Sequence, residues 1–449
     1  MKWAKRIGIG FAALLAVLLV LPFFISLNDY IPRIEKEAAA RLGEPVSIKS
    51  LTVSLLPLPH LTVDGITLGK TQDITIGKVT VAPDLLSLLA PVKVIRTIEV
   101  NGLVLTRKAL DKIPVWTKAD PKTPPQPAQV RVESIRLDDA QIRFDRSSFG
   151  PFDAEAKLNH SGEPETASIT TRDGKLKVSV KPEKSTYLIE ALAKGWQLPL
   201  GPPILFDELA VKGVATLNDA NFNDVRARLY GGSITGTANV AWKRGIQLRG
   251  KAAVSQVEIR SLLRALGRPP TMSGRLTAHP VFSATAPVGG QLAQALRLET
   301  PFDVKNGVLH GIDIGKAATS LISREGSKGG ETRFDQLSGH LALNRGTRRL
   351  TQLKISSGSL SANGNVTVSP RDELSGRVNA QVTAAGTSAV VPLNVMGSVQ
   401  SPLLVPTGGT LAGAGVGTAI LGPGVGTSVG AKVGGWVEGL FGGKEEQKK

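Results

Sequence analysis

The chain has 449 residues, and its 54 Lys and Arg outnumber 37 Asp and Glu to give a formal net charge of +17. The positive charge is spread along the chain without a dense basic block, and aromatic residues are only 4% of the total, so nucleic acid is not expected as a partner. The absence of cysteine excludes disulfides, thiolate metal sites and cysteine nucleophiles.

The N-terminus has the pattern of a membrane anchor. Residues 1–6 carry three positive charges and precede an uncharged, mostly apolar run over residues 7–27. This length matches the roughly 20 residues that a helix needs to cross a bilayer, and the positive-inside rule places residues 1–6 in the cytoplasm. A cleaved signal peptide is the alternative, but the run is too long and Ser26-Leu27-Asn28 offers no small-residue cleavage site. We therefore predict an uncleaved single span, with the body on the extracytoplasmic side.

A short helix is expected directly after the anchor. Asn28 or Asp29 is placed to cap its start, and Gly43 is placed to end it. Two other short helical segments are predicted, at residues 85–89 and 258–266. Few helices are therefore expected in the body of the protein.

Beyond residue 45 the dominant pattern is an alternation of apolar and polar residues, which is typical of half-buried strands. The dipeptides Asp64-Gly65, Asn101-Gly102 and Asp173-Gly174 suit two-residue hairpin turns, which need positive φ. With these turns, the flanking apolar residues would pair on one face of a sheet, as Ile169 would pair with Val178. The residues predicted in this way to line an apolar, ligand-facing surface are Leu61, Val63, Ile66, Leu68, Ile98, Val100, Leu103 and Leu105.

Such a face needs a cover, because a large exposed apolar patch is unusual in a soluble protein. Since few helices are predicted, two arrangements remain. One is a second sheet packed on the first, in a sandwich or barrel. The other is a curved sheet whose groove holds a hydrophobic ligand such as acyl chains. Patterning alone favours the sandwich or barrel.

Composition divides the rest of the chain. Residues 118–129 are rich in proline and are predicted to link an N-terminal β-module with its entry helix, residues 28–117, to a main β-rich body, residues 130–406. A second break is suggested by the prolines of residues 196–203. Residues 407–449 form a glycine-rich C-terminal tail.

The tail has two interpretations. Gly422, Gly426, Gly430 and Gly434 recur at every fourth position. This spacing fits a close-packed membrane helix, but so many glycines also fit a flexible segment. Its end carries apolar residues that would suit an apolar surface, namely Trp436, Val437, Leu440 and Phe441.

No catalytic constellation emerges. The five histidines are widely spaced, and none forms a metal-binding motif. Residues 230–236 approach a G-x-S-x-G elbow but have one residue too many, so they are interpreted as a turn between strands. Asp138-Asp139 is also interpreted as a turn. A catalytic carboxylate pair is not expected there, because adjacent residues of a strand point to opposite faces and cannot act together as general acid and general base. We therefore predict a protein that is not an enzyme and that needs no cofactor or metal.

Short motifs follow one another in a fixed order along most of the chain. They are Leu42-Gly43, Val53-Ser54-Leu55-Leu56-Pro57, Leu61-Thr62-Val63, Tyr230-Gly231-Gly232-Ser233-Ile234, the segment 302–313 (FDVKNGVLHGID) and Val391-Pro392-Leu393. In this order they resemble the AsmA-like family of envelope proteins of Gram-negative bacteria. Residues 120–200 match the family pattern poorly.

The resemblance implies a single-pass inner-membrane protein with a periplasmic body, active in outer-membrane biogenesis and in moving phospholipids between the two membranes. It also implies a mainly β fold, an elongated, curved, antiparallel-rich sheet with an apolar lipid groove, one N-terminal transmembrane helix and a few short helices. The groove replaces the sandwich as the expected arrangement.

The expected partners are then phospholipid or another acyl-chain lipid, and the inner membrane. The alternative function is a structural or assembly factor for outer-membrane proteins or other envelope components. Such a factor would act through exposed strand edges that pair with an outer-membrane or envelope protein.

Overall fold

The structure, a computed structural model, describes residues 27–54, 58–116, 130–144, 148–199, 202–216, 218–243, 245–287, 291–319, 329–358, 360–384 and 387–406. The predicted anchor, except for Leu27, lies outside these residues, as do the predicted linker at 118–129 and the tail at 407–449. Within the described ranges, no helix has the length and apolar character that a bilayer span requires. The described chain is mainly β, with a few short helices.

The chain divides into two compact units. Unit 1 takes the described residues of 1–200 and of 214–216, and unit 2 takes those of 201–213 and of 217–449. The border falls in the second proline-containing stretch identified in the sequence. The division at residues 118–129 stays a prediction.

Unit 1 contains nine strands, which pair with their sequence neighbours. They are β1 (Val46–Ser54), β2 (His60–Leu68), β3 (Ile74–Pro83), β4 (Lys93–Thr106), β5 (Val130–Arg143), β6 (Ser148–Leu158), β7 (Pro164–Thr171), β8 (Leu176–Glu183) and β9 (Thr186–Gln197). The pairing is antiparallel except between β4 and β5, which run parallel. Its helical segments are a 3₁₀ turn at Leu27–Tyr30, α1 (Ile31–Leu42), a 3₁₀ turn at Leu86–Leu89 and α2 (Arg107–Trp116).

Unit 2 holds most of β10 and all later strands. These are β10 (Leu205–Ala215), β11 (Asp219–Leu229), β12 (Gly232–Ala241), β13 (Ile246–Glu258), β14 (Met272–Ala278), β15 (Val281–Ala286), β16 (Arg297–His310), β17 (Glu331–Asn344), β18 (Thr347–Ser357), β19 (Leu360–Val368), β20 (Leu374–Ala384), β21 (Thr387–Gly397) and β22 (Pro402–Pro406). The short β14 and β15 share one position between β13 and β16. The helices are α3 (Ile259–Ala265), α4 (Leu292–Ala295) and α5 (Ile314–Thr319).

Neither unit packs one sheet upon another. Among the described residues of each unit, strands make extensive contacts only with their neighbours in the sheet. The sandwich that patterning alone favours is therefore wrong, whereas the mainly β, antiparallel-rich fold is confirmed. The core of unit 2 forms where α5 packs on the later strands, so that Ala317 and Ala318 are buried with Leu393 and Leu404.

The three short helical segments predicted after the anchor are present, with one difference at α1. Gly43 ends α1 as expected, at φ 67°, and its N–H donates to the carbonyl of Ala39 at 2.9 Å. The predicted cap by Asn28 or Asp29 is wrong, because a 3₁₀ turn precedes the helix and leaves Tyr30 at the cap position without a side-chain bond. In unit 2, Glu258 caps α3 by accepting from two backbone N–H groups.

Two of the predicted turns are confirmed. Asp173-Gly174 lies in the connection between β7 and β8, and Ile169 pairs with Val178 as expected. Tyr230 and Gly231 connect β11 to β12 with φ values of 51° and 72°. Tyr230 and Gly231 therefore both have the positive φ of a two-residue hairpin turn.

The other predicted turns are wrong. Asp64-Gly65, Asn101-Gly102 and Asp138-Asp139 lie inside the continuous strands β2, β4 and β5. Gly65, Gly102 and Asp139 do adopt positive φ, at 63°, 66° and 58°. The left-handed residue therefore sits within a strand, where it acts as a β-bulge does and re-aims the side chains that follow it.

Candidate functional site

An apolar surface on β2, β3 and β4 is the candidate functional site. The eight residues predicted from the sequence lie on β2 and β4, and they do not pair with one another as the hairpin prediction required. Instead each pairs with β3, so that Leu61 and Ile98 flank Val81. The remaining pairs flank β3 in the same way: Val63 and Val100 around Val79, Ile66 and Leu103 around Ile76, and Leu68 and Leu105 around Ile74.

Each of these groups of three residues, one from β2, one from β3 and one from β4, gains a fourth apolar residue from the edge strand β1. The four rows are Val53, Leu61, Val81 and Ile98; Leu51, Val63, Val79 and Val100; Ile48, Ile66, Ile76 and Leu103; and Val46, Leu68, Ile74 and Leu105. We call these sixteen residues the apolar face of unit 1. The contributions of β1 and β3 were missed from the sequence, although the alternation in β3 (ITIGKVTV) signals them.

Two of the rows continue to the last strand of the unit. The first adds Ile135, Ala156, Ala167, Val180 and Ile189, and the second adds Leu137, Ala154, Ile169, Val178 and Ala191. Nine strands spaced about 4.8 Å apart give these rows a length of about 38 Å.

The first five strands interrupt their apolar pattern at one common level. The interruption consists of the pairs Lys49-Ser50, Asp64-Gly65, Gly77-Lys78, Asn101-Gly102 and Asp138-Asp139, which we call the interruption row. The register aligns these pairs, because Ser50 is opposite Asp64, Asp64 opposite Lys78, Lys78 opposite Asn101 and Asn101 opposite Asp138.

The interruption row keeps the apolar residues on either side of it on the same face. Under strict alternation, strand residues three apart point in opposite directions. In β1, however, the N–H groups of Ile48 and Leu51 both point to the open edge, donating to Glu35 Oε1 at 2.7 Å and to Asn28 Oδ1 at 3.1 Å. The alternation of side-chain direction in β1 therefore shifts by one residue between Ile48 and Leu51. The left-handed residues Gly65 in β2, Gly102 in β4 and Asp139 in β5 cause the same shift within the interruption row.

The opposite face of the sheet is polar. Between the first and second rows, Arg136 of β5 lies 3.5 Å from the carboxylate of Glu99 and 3.8 Å from that of Glu155. Two residues away along each strand, the hydroxyls of Thr97 and Ser134 lie 3.0 Å apart. The two faces of unit 1 therefore differ sharply in polarity.

The apolar face is only partly covered. Of its sixteen residues, only Leu51 and Leu68 are buried, and Val53 is 37% exposed. In the described part of unit 1, α1 packs mainly on β1, while α2 and the second 3₁₀ turn pack on β4. An apolar surface of this extent that stays partly exposed is typical of a site that binds an apolar partner.

An ion-paired cluster lies beyond the fourth row. Lys112 of α2 donates to Glu44 Oε1 at 2.6 Å and to Asp73 Oδ2 at 2.9 Å, and the Thr71 hydroxyl donates to Asp73 Oδ1 at 2.6 Å. The bond from Thr71, followed by that from Lys112, lowers the pKa of the Asp73 carboxyl, while both carboxylates raise the pKa of Lys112. The cluster joins α2 to the segment before β1 and to the β2–β3 connection.

One family model matches part of the chain. The model of the AsmA family matches residues 205–353, mostly in unit 2, and supports the AsmA-like assignment made from the motifs. No curated protein and no solved structure matches the chain.

Proposed function

We propose that this AsmA-like chain is an inner-membrane protein, anchored by residues 7–27, whose periplasmic body binds the acyl chains of phospholipids on the apolar face of unit 1. Through that face it moves phospholipid between the inner and outer membranes. Neither catalysis nor a cofactor is part of the proposal.

The observation that carries the proposal is the set of four aligned apolar rows, which stay partly exposed within the described chain. Covering apolar surface is favourable by about 25 cal/mol per Å², or about 0.8 kcal/mol for each methylene group. A hydrocarbon chain laid along the rows would thus be held without any specific polar contact. The polar opposite face gives no such gain, so binding is confined to one side of the sheet.

The short connection to the anchor supports loading from the inner membrane. The predicted span ends at Leu27, α1 begins at Ile31, and β1 begins at Val46 directly after Gly43 has ended the helix. The fourth apolar row, which begins at Val46, therefore lies a short distance along the chain from the span. In the proposal, lipid enters from the β1 side of the sheet.

The alternative of an assembly factor acting through a strand edge receives less support. At the β1 edge, two backbone N–H groups that would pair with an incoming strand are occupied by Glu35 and Asn28. Native proteins block edges in this way against unwanted pairing. A partner strand would have to displace both acceptors.

Lipid analysis of the full-length protein, extracted from envelope membranes, tests the proposal. Val63→Asp places a carboxylate on the apolar face, whereas Thr62→Asp places the same group at the neighbouring position on the polar face. We expect the Val63 variant to lose most of its co-purifying phospholipid by mass spectrometry, because an ionised carboxylate is costly to cover with hydrocarbon. The Thr62 variant should keep its lipid.

Two controls make the result decisive. Val63→Phe retains an apolar surface and should retain lipid, and thermal unfolding of each variant separates lost binding from lost folding. Equal lipid content in both Asp variants, or a lipid-free wild type, would rule the proposal out. A co-purifying protein lost only from the Val63 variant would favour the assembly factor.

A further inference from the structure

The 3₁₀ turn between β3 and β4 reverses the usual burial of polar and apolar side chains. Ser87 is buried in it, whereas Leu86 and Leu89 are 86% and 95% exposed. The segment 85–92 (LLSLLAPV) carries no charge. Large apolar side chains that are exposed beside a buried polar one mark a surface that meets an apolar medium or partner.

Hydrogen bonds hold the turn in this arrangement. The Ser87 hydroxyl donates to the Asp84 carbonyl at 2.7 Å and accepts from the N–H of Val94 at 2.8 Å. The Asp84 carboxylate accepts from the N–H of Leu86 at 2.9 Å. Its Oδ2 also accepts from Arg96, at 2.9 and 3.1 Å. These bonds fix the backbone from inside the turn, and the leucine side chains therefore stay on its outer side.

Further exposed apolar residues lie at the same end of the sheet. Because β1 to β4 pair in antiparallel order, β1 ends, β2 begins, β3 ends and β4 begins there. β5 also begins there, since it runs parallel to β4. Four exposed apolar residues lie at this end outside the turn, namely Leu58, Leu85, Val92 and Val130. Together with Leu86 and Leu89 we call them the leucine end of unit 1.

The predicted span approaches the leucine end. Asn28 Oδ1 accepts from the N–H of Leu51 at 3.1 Å, and Glu35 Oε1, further along the chain, accepts from that of Ile48 at 2.7 Å. α1 therefore runs antiparallel to β1, and its start lies toward the end of the sheet where β1 finishes. The span ends at Leu27, directly before this start. The chain thus comes from the bilayer on the side where the leucines are exposed.

We propose that the leucine end of unit 1 inserts into the periplasmic leaflet of the inner membrane, beside the span. Apolar side chains of such a surface enter the boundary between headgroups and acyl chains, while neighbouring cations stay at the level of the phosphates. Lys93 and Arg96, which follow the turn, suit the second role. The inference rests on the anchored orientation of the proposed function and adds a second attachment to the same bilayer. The first apolar row, which includes Val53, then lies next to the bilayer surface.

Depth measurements on the full-length protein in vesicles of phosphatidylethanolamine and phosphatidylglycerol test the insertion. The chain contains no cysteine, so Leu89→Cys carries a single environment-sensitive fluorophore on the turn. We expect blue-shifted emission and strong quenching by nitroxide-labelled phospholipid at this position. Leu192→Cys is the matched control, because Leu192 is a 49% exposed leucine of β9 in the same unit, and its label should behave as in water.

A second set of variants tests whether the turn causes the insertion. With the fluorophore on Leu58→Cys, the added changes Leu86→Asp and Leu89→Asp should lower the quenching about tenfold, because a carboxylate is costly to move into a bilayer. Leu192→Asp should leave the quenching unchanged. Thermal unfolding of each variant reports its folding. If the Asp pair unfolds the protein, Leu86→Ser and Leu89→Ser make the same comparison with a smaller polar change.

Two results at position 89 would overturn the insertion. One is a label that stays in water. The other is a label that is shielded from water but not quenched by nitroxide lipid, which would indicate a partner protein or a second copy of the chain.

Two further variants separate this inference from the proposed function. With a fluorophore on Leu27→Cys, quenching there but not at position 89 would remove the insertion and keep the anchor, whereas water-like emission at both positions would remove both. In Val63→Asp, quenching at position 89 should persist, because it arises from the bilayer. Its disappearance would show that the quencher is lipid bound to the apolar face, and the insertion would then be wrong.

Discussion

At the scale of single residues, Lys112 has an unusual position because it bonds two carboxylates at once. Glu44 and Asp73 lie 2.6 and 2.9 Å from its Nζ, and Asp73 is only 4% exposed. Removing the cation would leave Asp73 with the Thr71 hydroxyl as its remaining side-chain partner. The cluster therefore makes the stability of unit 1 dependent on pH.

The sign of this dependence follows from the direction of the pKa shifts. The Asp73 carboxyl has a lowered pKa in the folded protein, so its contribution is complete above the ordinary value of 3.8 and is lost as the pH falls through the folded pKa. The pKa of Lys112 is raised, so its contribution is complete below the ordinary value of 10.5 and is lost as the pH rises through the folded pKa.

Urea unfolding of Asp73→Asn at several pH values checks this prediction. We expect the wild type to exceed the variant in unfolding free energy by a constant amount from neutral pH down to about pH 4, the ordinary range of an aspartate. The difference should shrink at lower pH. A difference that grows as the pH falls would contradict the assigned role of Asp73.

At the scale of elements, the interruption row sets the geometry of the apolar face. Gly102 needs its φ of 66°, but a Cβ at this position would meet only Gly77, at 3.7 Å. Gly65 needs a φ of 63°, and a Cβ there would lie 2.8 Å from the Cβ of Lys49. Gly102→Ala therefore carries a conformational cost alone, whereas Gly65→Ala adds a steric one.

Chemical unfolding separates the two costs. We expect Gly102→Ala to lower the unfolding free energy by about 1–2 kcal/mol, the cost of a left-handed non-glycine residue, and Gly65→Ala to lower it by more. Gly315→Ala in α5, where the glycine is not left-handed and an added Cβ would meet Asp313 Oδ1 at an ordinary contact distance of 3.5 Å, should be neutral or slightly stabilising. Equal effects of all three substitutions would show that the left-handed conformation is not required.

The interruption row also explains where the sequence misled. In β2 the apolar residues are symmetric about Asp64-Gly65, with Leu61 and Val63 before it and Ile66 and Leu68 after it. A hairpin would show this pattern. A continuous strand would show it equally well if its inward–outward alternation shifted by one residue at Asp64-Gly65. The prediction of one apolar face survives because both arrangements place the same residues together. The signal that separates them is Lys49-Ser50, which has the same spacing in β1 without a residue suited to a tight turn.

Other parts of the site lay beyond sequence patterns. Each apolar row contains residues from β1, β2, β3 and β4. Each predicted residue pairs with a residue of β3, whereas the hairpin prediction placed its partner on the other side of the expected turn. The leucine end draws on residues from 58 to 130, which only the folded sheet brings together. In contrast, the end of α1 follows from Gly43 alone, because few residues other than glycine accept a φ of 67°.

The attachment of α1 to β1 makes a prediction of its own. Glu35→Ala removes the acceptor for the N–H of Ile48 and should speed hydrogen exchange at that amide about fivefold, because one hydrogen bond of about 1 kcal/mol is lost. Glu37→Ala is the matched control, since among the described residues Glu37 bonds only the exposed Arg41 of the same helix. Unchanged exchange at Ile48 would show that α1 does not protect the β1 edge.

At the scale of the whole molecule, the chain combines a predicted anchor with two mainly β units that carry apolar surfaces of different kinds. In unit 1 the apolar face extends over strands that pair in sequence order, and in unit 2 residues of the later strands line an apolar pocket that is partly open. The AsmA match falls mostly in unit 2, so the role proposed for unit 1 depends on its own geometry. It must therefore be tested there.

Site-specific photocrosslinking in intact envelopes tests that role most directly. A photoreactive residue replaces Val100 on the apolar face in one protein and Glu99, its neighbour on the polar face, in another. We predict phospholipid adducts at position 100 and few or none at position 99, because only the first lies along the apolar rows. Equal lipid capture at both positions, or capture of protein alone at position 100, would contradict lipid binding by this face.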